Sequence, residues 1–487
     1  MASTNYLQQL LKQGDVSSLR QAAIIVAATC VLWKIIRNWT SKRPLDKIPG
    51  PKSSSYVTGN LMDLFQPDGL DCHDELAKNY PGVAKVPSMM GISCRMSSIL
   101  RRFTISWSRF NKIIFGDSLL ATLGDHHRKQ RKLLNPVFSI AMREMILIFY
   151  NVAYKLRDSI HGEVSNGKNE VDVHSWASRT ALEIIGQSGL GTSFDRLEPD
   201  SPSHPSLTPS RTSRRPVQNI CDIFESKKRA FELGDDAIRE QVSKVTANMS
   251  ATEEDKLPEE ELIAQMSTLM FAAMDTTSNA LSRTLDILSA PQDAHDRLRQ
   301  EILEAKKLHG ELSYDELNNL TFLDAVCRET LRLYPPAPVV LRETRQDTVL
   351  PLARTLTTLD GKQTNEIMVP RGTQVIVSIM SCNKDPLIWG PDANEWKPER
   401  WLSPPLASFV DAHIPGVYSH LMTFIGGNRA CIGFKISQLE MKVILCILLG
   451  SFKFTQTDKK VKWRFNGLGI TQPAVDSPAG YLKTSCP

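Results

Sequence analysis

The chain has no Cys-x-x-Cys pair, no Gly-x-Gly-x-x-Gly turn after a strand, no internal repeat and no long uninterrupted apolar run. Each absence excludes something. The nine cysteines (Cys30, Cys72, Cys94, Cys221, Cys327, Cys382, Cys431, Cys446 and Cys486) are scattered and odd in number. Neither a disulfide framework nor a structural zinc site is expected, and the pattern fits thiols in a reducing compartment. Without the glycine fingerprint the chain carries no nicotinamide or flavin site of its own. Without repeats or heptads it is neither a solenoid nor a coiled coil. Aromatics are 7% of residues and the net charge is only +5 over 487 residues, with no arginine stripe, so nucleic-acid binding is not expected. A mildly basic surface suits an acidic protein partner or anionic lipid. What is present, 41% hydrophobic and 23% charged residues, is ordinary for a globular protein with a sizeable core.

The longest apolar stretch, Ala22 to Trp33, has twelve residues with Thr29 as its only polar member. A spanning helix needs about 20 residues. Gln21 to Ile36 gives sixteen, and Lys34 could snorkel toward headgroups. The expected organisation is a polar segment over 1–20, a membrane anchor over 21–37, a basic, Pro-rich hinge over 38–51, and a single domain over 52–487. A buried or interfacial helix is the alternative for the anchor. Lys34, Arg37, Lys42 and Arg43 follow the apolar run, against Lys12 and Arg20 before it, which leaves the main domain in the cytosol. Ile48-Pro49-Gly50-Pro51 is rigid and turn-rich.

Further along, Leu197 to Pro216 is rich in Ser, Pro and Arg and reads as an exposed loop. Pro258 to Leu288 reads as one long helix of about 46 Å, with Glu259, Glu260 and Glu261 suiting its N-terminal dipole. Helices are expected over Pro291 to His309 and Thr321 to Leu333, with a capping box at Ser313-Tyr314-Asp315-Glu316. Glu366 to Val369 and Thr373 to Ile379 read as a hairpin joined by Pro370-Arg371-Gly372. A last helix begins near Cys431 and ends at Leu449-Gly450. The sum is mainly α with a minor β-sheet region.

The strongest chemical signal is Phe424-Ile425-Gly426-Gly427-Asn428-Arg429-Ala430-Cys431-Ile432-Gly433. Cys431 stands where a glycine-rich turn meets a helix, and backbone N–H groups and the helix dipole favour a thiolate there. Gly426 and Gly427 allow the turn, and Gly433 lets backbone approach a flat macrocycle. Arg429 can pair with a carboxylate at the macrocycle's edge, and Phe424 can shield the sulfur from water. A lone cysteine would more often be a small core residue; the whole segment says more.

This segment resembles the haem-binding signature of cytochrome P450s at every fixed position. Other landmarks of that family follow in order. Glu329-Thr330-Leu331-Arg332 resembles its ExxR motif, with both charged side chains on one helix face. Trp396-Lys397-Pro398-Glu399-Arg400-Trp401 resembles its Pro-x-Arg element, so Arg400 is expected to complete a cluster with Glu329 and Arg332. Ala272-Ala273-Met274-Asp275-Thr276-Thr277 resembles the oxygen-activating motif, with Ala273 where the family usually has Gly. By themselves, Thr277 and Ser278 would simply bond back to the preceding turn. Gly124 to Arg131 resembles the propionate-binding helix, with His127 in place of the commoner Trp. Arg342 sits where the family often has another propionate donor.

The resemblance implies the cytochrome P450 fold and haem b, with Cys431 as axial iron ligand. Phe424, Gly427, Arg429, Gly433, His127, Arg131 and Arg342 would line the cofactor, and Asp275 and Thr276 would relay protons to dioxygen. It implies a monooxygenase that hydroxylates or epoxidises a hydrophobic small molecule. Electrons would come from NADPH through a separate flavoprotein, NADPH–cytochrome P450 reductase, with cytochrome b5 as a second candidate donor. Met266-Ser267-Thr268-Leu269-Met270-Phe271 and Leu134-Asn135-Pro136-Val137-Phe138-Ser139 resemble fungal secondary-metabolism members, which implies a terpenoid substrate, and the anchor implies the endoplasmic reticulum membrane with the domain facing the cytosol. The rival readings are a haem-thiolate isomerase or dehydratase, which Asp275-Thr276 argues against, and a degenerate haem-binding paralogue. The resemblance thins over 86–115 and 197–250, which in the family shape the substrate pocket.

Overall fold

The computed structural model describes residues 24–26, 28–30, 33, 44–55, 58–87, 107–139, 142–199, 256–290, 293–404, 406–412, 414–466 and 469–475. In chain order its helices are α1 (Leu61–Phe65), α2 (Gly69–Asn79), α3 (Trp107–Phe115), α4 (Gly124–Ser139), α5 (Met142–Ser165) and α6 (Val173–Ile185). Then come α7 (Glu259–Ser289), α8 (Asp293–His309), α9 (Tyr314–Asn318) and α10 (Thr321–Leu333). Four more follow: α11 (Ile379–Asn383), α12 (Pro386–Trp389), α13 (Ala407–Asp411) and α14 (Phe434–Ser451). Three two-stranded antiparallel sheets pair β1 (Val339–Glu343) with β4 (Gln374–Ser378), β2 (Thr348–Thr357) with β3 (Gln363–Val369), and β5 (Val461–Phe465) with β6 (Thr471–Val475).

The chain groups into two compact units. The smaller comprises 1–51, 80–85 and 345–371. In it the Lys85 N–H donates to the Pro49 carbonyl (2.9 Å), and Lys47 pairs with Asp360 (2.9 Å). A side chain at Gly50 would place its Cβ 1.9 Å from the Lys85 carbonyl oxygen, so glycine there is a packing requirement. The expected anchor over 21–37 lies mostly outside the described residues. Among those described, no helix is long and apolar enough to cross a membrane.

The larger unit holds the helices. α14 is apolar on nearly every side, as a helix at the centre of a core must be: Leu439, Val443, Ile444, Leu445, Ile447 and Leu448 are all buried. They join a core with Phe149 and Leu156 of α5, Leu281 and Leu285 of α7, and Leu323 and Val326 of α10. Lys442, buried on α14, is neutralised by Asp324 of α10 at 2.8 Å. α7 carries a second apolar seam, Met266, Met270 and Met274 at one-turn spacing, packed with Leu182 of α6.

Several expectations need correction. The two runs are strands over 366–369 and 374–378, with Ile379 already helical, but they are not a hairpin: β3 pairs with β2 and β4 with β1. Alternation marks a strand's two faces and leaves its partner open. The last helix starts at Phe434, three residues after Cys431, with Gly433 at its N-cap. Leu197, expected in an exposed loop, is fully buried, and its carbonyl accepts the Ser159 hydroxyl; Glu198 and Pro199 are exposed, and 200–216 lie outside the described residues. Cys72 is disulfide-bonded, so not every described cysteine is a free thiol.

Candidate active site

The segment carrying Cys431 is a chain of tight turns. A 3-10 turn, Met422–Phe424, leads through Ile425 and Gly426 to a second, Gly427–Arg429. The Cys431 N–H reaches back to the Phe424 carbonyl (2.9 Å), and the Val417 N–H donates to the Ile425 carbonyl (3.1 Å). Its glycines are needed for different reasons. A Cβ on Gly426 would lie 1.5 Å from the Pro415 carbonyl oxygen, and Gly427 has φ +68°. Gly433 is a third case: an added Cβ would meet only the Phe138 ring, 4.0 Å away, so the protein's own packing does not demand glycine there. The Phe424 ring packs edge-on against Tyr418 (centroids 5.6 Å apart) and tilted against Phe434 (6.1 Å).

The Cys431 side chain is exposed by surface area, yet burial among protein atoms raises its thiol pKa. Both hold for a group on a concave wall. The Gly433 N–H and the Arg131 guanidinium pull the other way but do not prevail. The expected stabilisation of a thiolate by backbone and helix dipole is therefore only partial; a metal ion at Sγ would complete it.

Three basic residues near the Cys431 turn act on one another, and one of them, Arg131, also acts on the thiol. Arg131 of α4 donates to the carbonyl of Ala430 at 2.6 Å. Arg429 donates to the Leu119 (3.1 Å) and Thr122 (2.7 Å) carbonyls. His127, one turn before Arg131, is buried, and its pKa falls to about 4 through burial, then through the charges of Arg429 and Arg131. It is thus a neutral imidazole between two guanidiniums. Arg342 on β1 is exposed, donates to the Leu341 carbonyl (2.9 Å) and makes no ion pair with a described residue.

Asp275 and Thr276 lie in the middle of α7. Burial alone raises the Asp275 pKa to about 6. The Thr276 hydroxyl donates to the Ala272 carbonyl one turn back (2.7 Å). Ser278 bonds back as expected, to the Asp275 carbonyl (3.2 Å), and Asn279, which sequence reasoning missed, donates to the same carbonyl at 2.6 Å.

Glu329 and Arg332 form a bidentate pair with no exposed surface: Nε to Oε2 at 2.9 Å and Nη2 to Oε1 at 2.8 Å. Arg332 also donates to the carbonyls of Asn383 (2.8 Å), Ala393 (2.6 Å) and Glu395 (3.1 Å). Glu329 further accepts from the Lys397 N–H and the Trp401 indole, both at 3.0 Å. Arg400 joins the cluster only at its edge, with Nε 3.5 Å from Glu329. Its principal partner is Asp392 (3.0 Å), a residue the motifs do not reveal.

The family model for cytochrome P450 matches residues 210–476. Cytochrome P450 monooxygenase 91 of Postia placenta is 43% identical, the match covering 93% of this chain and 95% of that protein. The chain belongs to the cytochrome P450 family. Ganoderic acid synthetase of Ganoderma lucidum is 37% identical over the same shares of the two chains. The crystal structure of a cytochrome P450 superposes with a TM-score of 0.64 at 20% identity, covering 88% of this chain and 97% of that one, which shows the fold. The protein is thus a P450 monooxygenase, and membership implies haem iron.

The residues present fit that group. The Cys431 thiol is accessible although set among protein atoms, and the place beside Gly433 where a side chain would fit is left open. The cluster of His127, Arg131 and Arg429 offers converging donors to the anionic edge of a macrocycle.

Proposed function

We propose that this P450 binds haem b through Cys431 and inserts one oxygen atom, by hydroxylation or epoxidation, into a hydrophobic small molecule of secondary metabolism, with a terpenoid as the substrate class. The observation that carries the reading is an accessible cysteine on a hydrogen-bonded turn beside three basic groups. Bound haem iron would supply the activation of dioxygen, which an electron-rich thiolate promotes.

The chain's own residues supply the rest. Arg131 and Arg429 would give charge, and neutral His127 an N–H, to the carboxylates at the edge of a bound haem. Phe424, seven residues before Cys431, would help screen the sulfur from water once the cofactor is bound. With a pKa of about 6, Asp275 exchanges a proton near neutral pH, and the Thr276 hydroxyl can pass it on by exchanging its bond to Ala272 for one to the reacting oxygen. With no nicotinamide fingerprint in its sequence, the chain takes electrons from NADPH through a separate reductase, with cytochrome b5 as an auxiliary donor. Ile24, Ile25, Val26 and Trp33, helical and exposed, support an anchor over 21–37 in the endoplasmic reticulum membrane, with the catalytic domain in the cytosol. The relative named for ganoderic acid synthesis supports secondary metabolism.

Thr276→Ala tests the relay in membranes containing reductase and NADPH. Haem content and substrate affinity should hold, while product per NADPH falls by up to about 10²–10⁴-fold and hydrogen peroxide rises. Unchanged coupling would remove the relay role, and turnover without reductase or NADPH would contradict the monooxygenase reading.

A further inference from the structure

We infer that Asn383 is a positioning residue that ties the Cys431 loop to the Glu329–Arg332 cluster. The cluster itself makes no hydrogen bond, among the described residues, to the loop over 421–433. Arg332 is committed to Glu329 and to the carbonyls of Asn383, Ala393 and Glu395, and Arg400 to Asp392 and Trp389. The polar connection runs through Asn383, which ends α11 and has no exposed surface. Its main-chain carbonyl accepts from Arg332, at 2.8 Å. Its side chain serves the loop: Oδ1 accepts the Met422 N–H (3.0 Å) and Nδ2 donates to the Thr423 Oγ1 (2.9 Å). The Thr423 hydroxyl then donates to the carbonyl of Leu331, Arg332's neighbour on α10, at 2.8 Å.

The bonds close a ring from α10 through Asn383 to the turn Met422–Phe424 and back to α10. That turn ends at Phe424, whose carbonyl accepts the Cys431 N–H. A carboxamide suits this position because it donates and accepts at once. A leucine of similar size would fill the space and leave the Met422 N–H buried without a partner. The consequence for the sulfur rests on the reading of Cys431 as iron ligand; the linkage itself does not.

Asn383→Leu and Thr423→Val, each in the haem-loaded protein, separate the two. In Asn383→Leu, amide hydrogen exchange over Met422–Cys431 should quicken roughly tenfold while α10 stays protected. In mild denaturant, the thiolate-type Soret band of the reduced carbonyl complex should decay faster in the same proportion. Thr423→Val leaves the Met422 bond in place and should give the same pattern at about threefold. Unchanged loop exchange, or loop and α10 quickening together, would overturn the proposal, since the side chain would then merely fill the core. If Asn383→Leu cannot be recovered with haem, Thr423→Val decides by the same comparison of loop and α10. A wild-type protein without the thiolate-type band would contradict the reading of Cys431, and the exchange rates would still decide Asn383.

Discussion

The Glu329–Arg332 pair and the Asp275–Thr276 step are both polar sites of one helical unit, yet one is saturated with partners and the other is not. All five guanidinium N–H donors of Arg332 are used, and each carboxylate oxygen of Glu329 accepts two bonds. Nothing there is left to move. The Asp275 carboxyl makes no hydrogen bond to a described residue, and the Thr276 hydroxyl bonds only within its own helix. A site that holds a loop in place needs every bond made. A site that passes protons needs bonds it can exchange. Substitutions at the first should therefore lower stability, and at the second lower activity while leaving or improving stability.

The largest effect is expected from Glu329→Ala. Arg332 would keep only neutral carbonyl partners in a buried position, and breaking such a pair costs about 3–5 kcal/mol. That is a large share of roughly 5–15 kcal/mol total stability, so thermal unfolding and holoprotein yield should both fall sharply. Normal yields would break the comparison.

Asp275→Asn should act in the opposite sense on stability. Its carboxyl pKa is raised from 3.8 to about 6, so the folded state holds its proton more tightly than the unfolded chain. Stability is lost as pH rises through that window and stays lost above it. Removing the charge should then stabilise the protein above pH 6 by on the order of 3 kcal/mol, with no gain below pH 4, as pH-dependent melting would show. Turnover should drop about a hundredfold.

Arg400→Ala sharpens the comparison from within the cluster. Because Arg400 pairs chiefly with Asp392 and touches Glu329 only at 3.5 Å, its loss should cost about 1–3 kcal/mol. A loss equal to that of Glu329→Ala would mean the three residues act as one unit.

How much of this was legible in the sequence follows from how local each feature is. Glu329 and Arg332 are one turn apart on a single helix, and the turn carrying Cys431 lies within ten consecutive residues, so motif and geometry agree. The span of α10 was readable to the residue, and α7 to within one, because an acidic first turn, a following Pro-Pro stop and apolar spacing are local signals. Asn383 and Asp392 were not readable. Their partners are brought to them by tertiary packing, and nothing in Asn383-Lys384-Asp385 marks the first residue as a link. Nothing local in the sequence marks His127; only the family resemblance puts it at a cofactor edge, and the structure buries it. The hairpin expected at 366–379 failed because each strand found its partner elsewhere.

The central claim, that Cys431 is the iron ligand held by this loop, is tested most directly by the carbon monoxide difference spectrum of the reduced protein, wild type against Cys431→Ala. Among the other described cysteines, Cys327 and Cys446 are buried with thiol pKa pushed up to about 12, and neither lies on a glycine-rich turn. The red-shifted, thiolate-type Soret band is expected in the wild type, with its complete loss in Cys431→Ala. The same band in the mutant would contradict it.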